Sequence, residues 1–330
     1  MPKITTDDGV ALHYEETGSG APIVFVHEFG GDLRSWEPQV RYFSRMYRCI
    51  AYNARGYPPS DVPEDFNRYS QERARDDIRA VLDGLKMDRA HIVGLSMGAF
   101  ATLHFGLAYP NRALSITFAG GAYGSHPGHY KQFQQDSRAN AEKIQKEGMK
   151  KFVDGYGSGA TRVQLQAKDP RAFTEYLTQF HEHSALGAAN TLLGVQCRRP
   201  SFYDLAEPLK KMRVPTLLML GDEEEPALEA NLFIKRCVPT SGLAVFPKSG
   251  HAINLEEPAL FNQVLESFLP QVEAGRWGAR DSRSTVPSLY GPGGRPERAR
   301  TERNAITTPW YPCRSHACRS VDLTLCPRLP

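Results

Sequence analysis

The chain has 330 residues, 41% of them hydrophobic and 23% charged, with a formal net charge of +3. That length accommodates one large domain with an insertion, or two domains, and so small a net charge excludes a polyanion binder along the whole length. No run approaches the roughly 20 apolar residues of a membrane span, and "MPKITTDDGV" at the N-terminus lacks the apolar stretch of a signal peptide.

In chain order, "VALHYEE" alternates like an edge strand, and "PIVFVHE" is a short β-branched run typical of a buried parallel strand. "SWEPQVRYFS" reads as a helix with Ser35 as its cap. "YRCIAYN" is a further buried strand. "QERARDDIRAVLDGL" sets Ile78, Val81, Leu82 and Leu85 on one helical face. "AHIVGLS" (strand), "MGAFATLHFGLAYP" (helix) and "ALSITFAGG" (strand) follow. Between Tyr123 and Asp204 strand signals vanish, and helical patterning with several aromatics predicts an inserted cap. "VPTLLMLGD", "ALEANLFIKRCV", "GLAVFPK" and "PALFNQVLESFL" then resume the strand–helix alternation.

Alternating strands and helices predict an α/β fold with a doubly wound, mostly parallel sheet. The expected organisation is a core in two parts, 1–122 and 206–274, a helical cap or lid over 123–205, and a disordered tail over 275–330. The tail holds ten arginines, no lysine, four acids and seven prolines. Such sequence cannot bury enough apolar surface to offset its ordering entropy. Its Cys313, His316, Cys318 and Cys326 match no zinc spacing, and its arginines read as a solvated tail, so no nucleic-acid partner is expected. Cys49, Cys197 and Cys237 lie far apart in apolar or helical contexts, as reduced, buried thiols would. A cytoplasmic protein acting on a small molecule is the expectation, with no membrane partner.

"VGLSMG" places Ser96 between Gly94 and Gly98 where a strand gives way to a helix. A one-residue turn forces its central residue into strained backbone and leaves no room for Cβ atoms two residues either side. Ligands of open α/β sheets bind at the carboxyl ends of the strands, so the Ser96 hydroxyl is expected in a cleft. G-x-S-x-G alone is a weak signal, but two partners follow in chain order. A serine nucleophile needs a base. Of ten histidines, His251 in "KSGHAINLEEP" follows the last strand and precedes the last helix, at the same sheet edge as Ser96. His13, His91 and His104 fall in strands or mid-helix, and His126, His129, His181 and His183 fall in the cap, where at most they line a pocket. The third member is an acid that fixes the imidazole tautomer. "GDEEEP" offers Asp222, Glu223, Glu224 and Glu225 in succession.

With "VFVHEFGG", "ARGYPPSD", "VGLSMG", "PTLLMLGDEEEP" and "GHAINLEEP" in this order over residues 10 to 270, the chain resembles the α/β-hydrolase superfamily, in the group of esterases, enol-lactonases, C–C bond hydrolases and cofactor-free haloperoxidases. The resemblance implies the acid three residues after the loop glycine, here Glu224 where the family usually has aspartate, with Asp222 as the alternative. It implies an oxyanion hole from the backbone N–H groups of Phe29 and Met97. It departs from the family at His27-Glu28, where His-Gly is usual. Glu28 is expected either to face solvent or pair with a nearby arginine such as Arg34 or Arg55, or else to contact substrate or orient water; His27 is expected to be structural. Trp36, Phe29, Tyr123, Tyr130, Phe202 and Tyr203 are pocket candidates. Serine at the elbow implies acyl transfer to water on a carboxylic ester, lactone or dienoate C–C bond, with no cofactor and no metal. The alternatives are an acyltransferase or perhydrolase outcome, or a ligand-binding protein on the same fold.

Overall fold

A computed structural model describes residues 1–281 and Ser284. Its eight strands are β1 (Lys3–Thr5), β2 (Ala11–Thr17), β3 (Pro22–Val26), β4 (Arg48–Tyr52), β5 (Ala90–Leu95), β6 (Ala113–Ala119), β7 (Thr216–Gly221) and β8 (Ser241–Phe246). They form one sheet in the order β1-β2-β4-β3-β5-β6-β7-β8. Only β1 with β2 and β2 with β4 pair antiparallel; the other neighbours are parallel. This is the expected doubly wound α/β sheet. β1 was not anticipated: three residues are too few to show a period.

The central strands read as continuous apolar runs because both faces are covered. Ile23 and Phe25 of β3 pack on one face with Val93 and Leu95 of β5, and Val24 and Val26 pack on the other with Ile92. Period-two alternation alone divides them. Helices α1 (Glu37–Phe43), α2 (Gln71–Gly84) and α3 (Met97–Ala108) follow the early strands. Ile78, Val81 and Leu82 of α2 are fully buried, as their spacing predicts. The predicted helix over 35–44 begins instead as a 3-10 turn, Leu33–Trp36, whose cap is Asp32 rather than Ser35; the Asp32 carboxylate accepts the Arg34 N–H.

Between β6 and β7 lie α4 (Pro127–Tyr156), α5 (Val163–Lys168), α6 (Pro170–His181), α7 (Ala185–Thr191), a π turn (Leu192–Gln196) and α8 (Ala206–Lys211). The insertion is helical, as expected. Gly148 breaks α4 with φ 79 and ψ 170, splitting it into two helices, a conformation open only to glycine. Phe152, Phe173, Phe180 and Leu192 of the insertion bury against Phe29 and Met97 of the core. α9 (Glu225–Cys237), α10 (Ile253–Glu256) and α11 (Pro258–Glu273) complete the fold. Insertion and sheet belong to one unit, Met1–Arg280. Cys49, Cys197 and Cys237 are buried free thiols.

Residues 275–280, assigned to the tail by composition, pack on the core instead. Trp277 meets the Phe268 ring at 4.6 Å and donates from Nε1 to the Thr240 carbonyl at 2.7 Å, and the Arg280 N–H donates to the Pro239 carbonyl. A single anchoring aromatic carries no periodicity, so composition missed it. The expected disorder of the rest of the tail falls outside the described residues. No helix among the described residues is long and apolar enough to cross a membrane.

Candidate active site

β5 ends at Leu95 and α3 begins at Met97, so Ser96 alone makes the turn, at φ 52 and ψ −113. A non-glycine residue at positive φ is strained by about 1–3 kcal/mol. Hydrogen bonds hold it there: the Ser96 N–H donates to the Ala119 carbonyl at 2.8 Å, and the Phe100 N–H donates to the Ser96 carbonyl at 3.1 Å. A Cβ at Gly94 would collide with the Gly98 carbonyl and the Thr102 hydroxyl, and one at Gly98 with the carbonyls of Val26 and His27. The two glycines let α3 lie against β3 and β5. The N-terminus of α3 presents unbonded N–H groups and a partial positive charge beside Ser96.

His251 sits in the loop between β8 and α10. Glu256, which the sequence reading passed over, accepts the N–H groups on both sides of it, Gly250 at 2.6 Å and Ala252 at 2.9 Å. His251 Nδ1 lies 2.5 Å from Glu224 Oε1, and both residues are buried. Burial by itself would lower the His251 pKa, but the charges of Glu224 and Glu28 outweigh it and raise it above the ordinary histidine value; Arg162 pulls the other way. Asp222 instead is exposed and accepts the Ser249 N–H at 3.2 Å. Glu223 accepts from Lys248 and Gln164 at the surface. Of the four acids in this loop, the structure brings Glu224 to the imidazole.

Glu28 corrects an expectation. It neither faces solvent nor pairs with Arg34 or Arg55. Arg34 binds Asp32 and Glu182, and Arg55 binds Asp8 and Asp77. Glu28 is 2% exposed, its Oε2 pairs with Arg162 of the insertion, and the same oxygen lies 3.7 Å from His251 Nε2. Arg162 is equally buried; burial works against its charge, but Glu28 holds its pKa above the ordinary value. His27 is structural in its contacts. Its Nε2 accepts the Ala54 N–H at 3.0 Å, so Nδ1 carries the proton and donates to the Glu28 carbonyl at 2.7 Å. Burial pushes its pKa down to about 4.

Ser96, His251, Glu28, Phe29 and Tyr123 line one cavity of about 350 Å³ between sheet and insertion, with Phe133, Asp136, Asn140, Tyr156 and Arg199 on its far walls. No hydrogen bond joins Ser96 Oγ to His251 among the described residues. The Phe29 carbonyl is fixed by the Tyr57 hydroxyl at 2.9 Å, and its ring sits edge-on to Phe152, Tyr156 and Phe180. Four pocket candidates lie elsewhere. Trp36 is fully buried between Phe25 and Phe261, and Phe202 stacks on Phe100 in the core. Tyr130 donates to the Arg199 carbonyl from outside the cavity lining, and Tyr203 stacks on Phe233. An aromatic in a helical insertion serves packing as readily as binding, and its spacing does not distinguish the two. Arg162 and Arg199 were missed because their partners lie far away in the chain.

A family model described as alpha/beta hydrolase fold matches residues 21–258. The 3-oxoadipate enol-lactonase 1 of Acinetobacter baylyi is 27% identical over 274 residues, covering 82% of this chain and 97% of its own. The 2-hydroxy-6-oxononadienedioate/2-hydroxy-6-oxononatrienedioate hydrolase of Paraburkholderia phymatum is 26% identical, covering 79% of this chain and 91% of its own. The solved structure of a thermophilic esterase from Thermogutta terrifontis superposes with a TM-score of 0.72 at 25% identity, covering 82% of this chain and 98% of that one.

Proposed function

Because the chain belongs to the α/β-hydrolase family, we propose that it is a serine hydrolase acting through an acyl-enzyme on a small ester, lactone or related carbonyl compound. One observation carries this reading: a serine held at φ 52 in a strand–helix turn shares a cavity with a histidine whose far nitrogen is bonded to a buried carboxylate. A receptor needs neither the strain nor the bond.

In this mechanism Ser96 Oγ attacks the substrate carbonyl carbon while its proton passes to His251 Nε2, the two atoms closing to about 3 Å. Glu224 keeps the proton of the neutral imidazole on Nδ1 and stabilises the imidazolium that forms. The backbone N–H groups of Phe29 and Met97 receive the oxyanion, each worth roughly 3 kcal/mol. His251 then protonates the leaving group, and water repeats the sequence on the acyl-enzyme. Enol-lactonase, C–C bond hydrolase and esterase relatives leave the scissile bond open among these classes.

A second reading is favoured by Glu28. A carboxylate 3.7 Å from His251 Nε2 stabilises the protonated ring, which suits a ligand-binding protein with slow turnover. Labelling by a fluorophosphonate tests both, followed by a panel of p-nitrophenyl esters beside an enol-lactone and a ring-cleavage dienoate. Labelling at Ser96 with turnover of one class supports the hydrolase. No labelling in folded protein leaves the binding reading.

A further inference from the structure

Three arginines of the unit described here are almost wholly buried: Arg55, Arg162 and Arg199. Arg55 is held by Asp77 and Asp8, and Arg162 by Glu28. Arg199 differs. It is 4% exposed, and among the described residues no carboxylate lies within ion-pair distance of it. Its one side-chain hydrogen bond among those residues is from Nη2 to the Tyr123 carbonyl at 2.7 Å. The guanidinium stacks 3.6 Å above the Phe100 ring and 4.4 Å from the Phe133 ring. Burial pushes its pKa down to about 9, with Tyr156 and Tyr130 working the other way. A desolvated cation without a counter-charge is costly, and this one lies in the wall of the Ser96 cavity.

We propose that Arg199 binds the carboxylate of the substrate, so that the preferred substrate is a short acid monoester, lactone acid or keto acid rather than a neutral ester. The proposal rests on the assignment of this cavity as the substrate site. The guanidinium fork has five donors, one of them used among the described residues, and a carboxylate takes two in parallel. The group is pre-positioned: its backbone N–H donates to the Val195 carbonyl at 2.9 Å and its carbonyl accepts from Tyr130 at 2.8 Å. Phe100, beneath it, follows Ser96 by one helical turn, a rise of about 6 Å. That distance places the carboxylate a few carbons from the carbonyl attacked by Ser96. The other charges at the cavity do not take this role. Glu28 and Arg162 are paired with one another, and Asp136 is exposed and accepts from Gln132 at 2.8 Å.

The test compares the p-nitrophenyl monoester of glutarate, an anion, with p-nitrophenyl valerate, which is neutral, in wild type, Arg199→Met and Arg199→Lys. The ratio of kcat/KM for anionic over neutral ester should fall about thirtyfold or more in Arg199→Met, mostly through KM, and recover in part in Arg199→Lys. A ratio unchanged within about threefold overturns the proposal even if both activities drop, because that is the signature of a packing role. Calorimetry with levulinate, a keto acid that needs no nucleophile, separates this from failure of the hydrolase reading. Wild type should bind levulinate about tenfold or more tighter than Arg199→Met, and tighter than it binds methyl propyl ketone. Equal affinities, or no binding to wild type, overturn the carboxylate site whether or not esters are cleaved.

Discussion

Glu28 Oε2 lies 3.7 Å from Nε2 of His251, on the side of the ring opposite Glu224. The imidazole thus stands between two carboxylates, and both favour its protonated form. A base that must be neutral to act then loses activity at a higher pH than an unperturbed histidine would. In Glu28→Gln this charge is gone, and Arg162, left without its partner, pushes in the same direction. The acid limb of kcat/KM should move to lower pH. A pH profile of kcat/KM checks the shift; an unmoved or raised limb would show that Glu28 does not act on His251.

Ser96→Ala should reduce esterase activity by on the order of 10⁴-fold or more and abolish fluorophosphonate labelling, with the fold intact by circular dichroism. Activity within about tenfold of wild type would remove Ser96 as the nucleophile. Ser96→Gly should be equally inactive yet melt higher than Ser96→Ala, because glycine accepts φ 52 without strain; the difference should be about 1 kcal/mol after its entropy cost.

Glu224→Gln should cost far more in kcat than Asp222→Asn, on the order of 10⁴-fold by analogy with other serine triads. Glutamine keeps the shape but carries no charge and can favour the wrong tautomer. Asp222 only caps the Ser249 N–H. Steady-state kinetics of the two variants decide the matter, and a larger loss in Asp222→Asn would reassign the acid.

A chain ending at Ala274 should unfold at lower temperature than one ending at Ser284. The shorter form lacks Trp277, which covers Phe268 and binds the Thr240 carbonyl. For a partly buried tryptophan the loss is about 2 kcal/mol, seen as a fall in Tm of several degrees. Trp277→Ala in the full chain should reproduce it; equal melting of both truncations would show that the contact contributes nothing.

Features set by neighbours in the chain were legible in the sequence. The turn at Ser96 announces itself through Gly94 and Gly98, and the buried strands through unbroken apolar runs. The positions of Glu224 and His251 at one sheet edge follow from each lying just after a strand. Features set by distant partners were not legible. Nothing local to Glu28 indicates Arg162, which follows it by 134 residues. Nothing local to Arg199 says that no carboxylate among the described residues pairs with it. Trp36 and Phe202 look like any other aromatic until the core closes around them. The strand order also depends on crossovers, which no local pattern reports.

The break at Gly148 divides labour along α4. Before it, Phe133, Asp136 and Asn140 face the cavity. After it, Phe152 and Tyr156 pack on the ring of Phe29, and Tyr156 also reaches the cavity. Because the helix is interrupted at Gly148, the cavity takes wall residues from both halves, while the packing on Phe29 comes from the second alone. A side chain at position 148 would meet open space, but the backbone there is one that only glycine adopts without strain, so a substitution would disturb both walls of the cavity at once.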